Sequence, residues 1–142
     1  MFANPSSAQI AQLLRSARII AVVGLSADRT RPSHGVARAL QRFGYRVIPV
    51  NPAAESILGE PAVASLEQLA EVLAPDEQVD IVDVFRRSEH VAGILEQCLH
   101  LKLPALWLQE GVIDEAAAQR AVRAGIFTVM DRCIFKERAA LK

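Results

Sequence analysis

Gly24, Ser26, Arg29, Arg31, Pro32 and Ser33 crowd into one short stretch of this chain. A glycine lets backbone amides approach a phosphate closely, hydroxyls donate to its oxygens, and guanidinium groups meet its charge in two-pronged fashion. The chemistry open to such a set is the binding of a phosphorylated nucleotide. Phe85, Arg86 and Arg87 add an aromatic face and two more cations, while Asn51 with Pro52, and Gln109 with Gly111, add neutral polar groups and turns. Each has a plainer reading. Gly24 can simply turn the chain, Asn-Pro commonly opens a turn, and the arginines can be solvated. Position in the fold has to decide between them.

The elements that would position these residues follow from periodicity. Apolar runs at Ile19–Val23, Arg46–Val50, residues 79–85, Ala105–Leu108 and residues 126–130 read as strands. Between them, helical spacing brings together Val36, Ala37, Leu40 and Phe43, then Val91, Ile94, Leu95 and Cys98 across residues 88–102. Ser7, Ser33 and Asp114 read as N-caps, Ser65 with Gln68 as a capping box, and Gly44 and Gly125 as helix stops. Residues 53–64 are irregular, with a short edge strand expected near Ala62. Strands that are apolar throughout must be covered on both faces. The expectation is therefore an α/β, three-layer, doubly wound (Rossmann-like), mostly parallel sheet in a single domain spanning residues 1–142. In such sheets ligands sit beyond the carboxyl ends of the strands, and the residues named above all fall there.

Two features narrow the ligand. Gly24-Leu25-Ser26 stands where a dinucleotide loop would read Gly-x-Gly. The second strand ends in Pro49-Val50-Asn51-Pro52, without the carboxylate that binds the ribose hydroxyls of NAD. The first sets the loop apart from the common dinucleotide loop; the missing carboxylate, with the extra arginines, favours a phosphorylated ribose over NAD.

Catalytic and metal constellations are absent from the pattern. His34, His90 and His100 lack a base-and-orienter set, and Cys98 and Cys133 lack ligand spacing. Cys98 reads as core, and Asp83, inside a strand, as a partner for an arginine. Of the 16 basic residues 13 are Arg, yet the formal net charge is +0, which argues against nucleic acid as a partner. The sequence contains no apolar run of membrane-spanning length, so a cytoplasmic protein is expected.

Taken together, Val23 to Ser26, Arg31 to Ser33, Gly44 to Pro52, Val79 to Arg87, Trp107 to Gly111 and Met130 to Ile134 resemble the small CoA-binding proteins with a Rossmann-like fold. These are similar to the CoA-binding domain of succinyl-CoA synthetase α subunits and of ADP-forming acyl-CoA synthetases. The resemblance implies coenzyme A as cofactor, its phosphates at the first loop and the arginines, its adenosine near Asn51, Pro52 and Phe85. The reading it supports is a stand-alone module that holds CoA or an acyl-CoA without catalysis of its own, with three roles open: sensing CoA, carrying it, or serving an unidentified protein partner. The larger synthetases carry their phosphorylated histidine in a further domain, which this sequence does not extend into. An NADP-linked oxidoreductase, or a fragment of one, is the alternative. It needs the same phosphate recognition together with a hydride site, and the one tyrosine, Tyr45, lies at a helix-to-strand turn.

Overall fold

Strands without polar alternation can be buried on both faces, and five of them form the central sheet of the computed structural model, which describes residues 1–141. They are β1 (Ile19–Val23), β2 (Arg46–Val50), β5 (Ile81–Val84), β6 (Ala105–Leu108) and β7 (Phe127–Val129). A two-stranded hairpin, β3 (Ser56–Ile57) and β4 (Glu60–Pro61), lies between β2 and β5 in the chain. The sheet order is β2-β1-β5-β6-β7 and every pairing within it is parallel. Chain order therefore reverses between β1 and β5, and the crevice above that pair is where ligands enter such sheets.

Successive strand residues point to opposite faces, which separates two cores. Ala21, Val23, Val82, Val84, Leu106 and Leu108 pack under α3 (Val91–Leu101) and α4 (Glu115–Arg123). On the other face, Ile20, Val22, Ile81 and Trp107 pack under α1 (Ser7–Ser16), α2 (Pro32–Arg42) and α5 (Ile134–Ala139). The three-layer α/β architecture expected from periodicity is the one observed. No helix among the described residues is long and apolar enough to cross a membrane.

Local details correct several expectations. The first helix is capped by Ser6, not Ser7: the Ser6 side chain accepts from the Gln9 amide and the Gln9 side chain accepts in return. Pro32 takes the first position of α2 behind Arg31, so Ser33 lies inside the first turn and caps nothing there. Ser65 makes no side-chain cap. Gln68 instead accepts from the Ala64 amide, and Leu66–Glu71 winds as a 3₁₀ turn. The expected helix over residues 88–102 begins with a 3₁₀ turn, Ser88–His90, before α3. The strands expected at 79–85 and 126–130 are shorter at both ends. The short edge strand expected near Ala62 is present, as β4 ending at Pro61 and a bridge from Val63 to Val50. The six residues of α5 were outside the expected elements altogether.

Asp83 overturns a further expectation. It is fully buried, in register with Val22 and Trp107, and neither carboxylate oxygen has a partner among the described residues, arginines included. Burial raises its pKa well above the ordinary carboxylate range.

Candidate functional site

The loop after β1 is held by its own side chains. The Gly24 amide donates to the Val50 carbonyl (3.0 Å), tying the loop to the end of β2. Asn51 completes this tie: its Nδ2 donates to the Leu25 carbonyl (2.9 Å) while its Oδ1 accepts from the Ala53 amide (2.8 Å). Asn51 thus makes the turn and braces the first loop at once. Ser33 Oγ accepts from the Ser26 amide and Ser26 Oγ accepts from the Asp28 amide, both at 3.0 Å. Each hydroxyl is fixed in place as an acceptor and keeps its own proton to donate. Asp28 accepts from the amide and hydroxyl of Thr30, and these bonds, with Arg31 and His34 nearby, lower its pKa.

Gly24 adopts φ +86°, and a Cβ there would lie 2.4 Å from the Phe85 carbonyl oxygen and 2.8 Å from Arg86 Cδ. The backbones of β1 and β5 therefore approach at their carboxyl ends as only glycine permits. Above this contact opens a pocket of about 300 Å³ lined by Gly24, Ser26, Arg31, Pro32, Ser33 and Phe85. Six of the residues expected at the site thus meet in one hollow at the crossover of the sheet. Its polar components are two oriented hydroxyls and one guanidinium, and half-buried Phe85, packed against the core on the α1–α2–α5 face, lines it as well. That set can hold a phosphate and stack a ring.

The remaining expected residues sort differently. Arg86 lies half-buried with its stem across Gly24, whereas Arg87 is exposed and precedes the 3₁₀ turn. Arg29 faces a separate cleft with His34 and Arg38. Pro52 is exposed and does not line the pocket. Gln109 is buried, and its Oε1 accepts from the Ile134 amide (3.0 Å), so it anchors the start of α5. Gln109→Leu is expected to leave that amide unpartnered and to lower stability by about 1–3 kcal/mol, read from urea unfolding. An unchanged midpoint and slope would show that α5 is held by other contacts. Gly111, at φ +81°, donates its amide to Asp131 Oδ1 (2.7 Å) and shapes the rim. Arg132 pairs with Glu137 (3.5 Å).

Cys98 is core, as expected, and burial pushes its thiol up to about 12. Trp107 is core too, its indole N–H donating to the Arg132 carbonyl (2.9 Å). At the opposite end of the sheet, a hollow of about 410 Å³ lined by Leu66, Leu69, Leu73, Leu101 and Leu103 carries none of the expected site residues.

The family model described as CoA binding domain matches residues 18–139. The chain is 42% identical to the uncharacterized protein YneT of Bacillus subtilis (strain 168), over 98% of each chain. It is similar to the solved structure of ID.343 from Thermus thermophilus, with 39% identity, a TM-score of 0.86, and coverage of 95% of this chain and 98% of that one. Acetyl-coenzyme A synthetase 1 of Ca. Korarchaeum cryptofilum shares the fold at 21% identity, with a TM-score of 0.66 over 84% of this chain and 28% of that one.

Proposed function

The chain belongs to the CoA-binding domain family, and we propose from that premise that it is a stand-alone module holding CoA or an acyl-CoA at the carboxyl edge of its sheet. The observation that carries this reading is the pocket at the β1–β5 crossover, where Ser26, Ser33 and Arg31 surround the bare backbone of Gly24 beside the Phe85 ring. Phosphates of the ligand meet the hydroxyls and the guanidinium; the adenine stacks on Phe85, towards the turn at Asn51 and Pro52. The stem of Arg86 borders the same hollow, and Arg87 and the rim at Gly111 lie further out along the ligand's path. The module holds its ligand in the cytoplasm for a partner enzyme and does no chemistry itself.

Calorimetric titration with CoA, dephospho-CoA and NADP tests this. CoA is expected to bind, dephospho-CoA more weakly by about tenfold for the lost charge-assisted contacts, and Arg31→Gln to weaken CoA by a similar factor. Tighter binding of NADP than of CoA, or no response to any of the three, overturns the reading.

A further inference from the structure

We propose that a second cleft, which shares no lining residue with the Gly24 pocket, binds a phosphate monoester. The cleft has a volume of about 540 Å³. One wall is the loop at Ala27 and Arg29 with the first turns of α2 at His34, Gly35 and Arg38; the other is the β3–β4 hairpin, residues 56–59.

Three observations point to an anionic ligand. The lining holds two arginines and a histidine and no carboxylate. Arg29 and Arg38 are exposed and form no ion pair among the described residues, unlike Arg46 with Glu77 or Arg120 with Glu96. His34 is only 8% exposed, yet its ring has no hydrogen-bond partner among the described residues. A buried imidazole without a partner is uncommon, because its polar atoms lose water and gain nothing. Here the ring is not sealed: among the described residues, the buried side-chain atoms without a partner are those of Asp83 alone, so the His34 nitrogens reach the cleft.

Helical geometry completes the site. His34 and Arg38, four residues apart, share a face of α2, and Gly35 beside them leaves room, since a Cβ there would meet nothing within 4 Å. Two guanidinium groups carry donors and no acceptor, and the imidazole adds another donor, which suits a doubly charged tetrahedral group. Asp28, the carboxylate of the same loop, does not line the cleft and is turned onto Thr30. The phosphate has two sources: the 3′-phosphate of a CoA lying across the first loop, or a separate phosphorylated small molecule. The inference holds with either, because only the phosphate is recognised.

The test follows the His34 ring signals by NMR, assigned by their loss in His34→Gln, during titration with inorganic phosphate, CoA and dephospho-CoA. Phosphate or CoA is expected to shift them saturably. Arg38→Gln should weaken the response about tenfold, and Gly35→Leu, which fills the cleft, should abolish it. Melting curves of both variants confirm that they fold. Displacement of phosphate by CoA but not by dephospho-CoA identifies the 3′-phosphate as occupant; simultaneous binding of phosphate and CoA identifies a separate ligand. No saturable shift with either phosphate or CoA overturns the inference, as does a response undiminished in both variants. Phosphate binding at His34 without any calorimetric CoA binding would sink the CoA-holding reading and leave this site standing.

Discussion

Asp83→Asn is expected to make the protein more stable at neutral pH and to remove a component of stability that wild type loses as pH rises. The Asp83 carboxyl is enclosed by the apolar core on the α1–α2–α5 face, and both of its oxygens are unpartnered among the described residues. Burial without a counter-charge disfavours the ionised form, so the folded-state pKa stands above the value in the unfolded chain. Below the unfolded value both states hold the proton and the group makes no difference. Above it the unfolded chain releases the proton first, and stability falls by about 1.4 kcal/mol for each pH unit until the folded pKa is passed. Asparagine keeps the shape and cannot ionise. Urea unfolding of both proteins at pH 5 and pH 8 should show the gap between them widening with pH. Asp28 and Glu77 have lowered pKa values and act the other way, but their contribution is lost only on acidification and is common to both proteins. A gap independent of pH would mean that the Asp83 carboxyl is charged and supported in the folded state.

Gly24→Ala is expected to destroy the pocket and to destabilise the fold by about 3 kcal/mol. The left-handed backbone conformation costs an L-residue about 1–2 kcal/mol, and overpacking adds a similar amount. The atom in the way is the Phe85 carbonyl oxygen, 2.4 Å from the new Cβ, and backbone in a parallel sheet cannot swing aside as the Arg86 side chain can. Relief would part the ends of β1 and β5, where Ser26, Arg31 and Phe85 converge, so CoA binding is expected to be lost with it. Gly111→Ala provides the comparison. It also has positive φ, at +81°, but nothing lies within 4 Å of its Cβ, so only the conformational part, about 1–2 kcal/mol, applies. Equal losses in the two variants would show that the close contact at Gly24 yields cheaply.

Much of this was legible in the residues themselves. Ile19–Val23, Arg46–Val50 and Ala105–Leu108 are strands with the bounds that their apolar runs predict, because a strand buried on both faces leaves no polar position inside it. Asp114 caps α4 as read, accepting from the Ala117 amide. The caps at Ser7, Ser33 and Ser65 were misplaced for a shared reason. A hydroxyl near a helix start can bond several amides, and which one it takes depends on where the loop leads. Ser33 accepts from Ser26, seven residues earlier, a contact no helical spacing announces. The 3₁₀ start of α3 and the short helix α5 escaped because neither is long enough to show a period.

By itself the sequence determined the layered parallel sheet, the placing of glycine, serine and arginine at its carboxyl edge, and the family, since these depend on residue type and order. Only the tertiary structure decided which polar groups are free. Gln109 looked like a ligand contact and is committed to the Ile134 amide; Asp83 looked paired and stands alone; Arg29 and Arg31, two residues apart, face different clefts. The physical reason is that a polar side chain's role is set by whichever partner the folded chain brings within about 3 Å, and such partners come from distant elements.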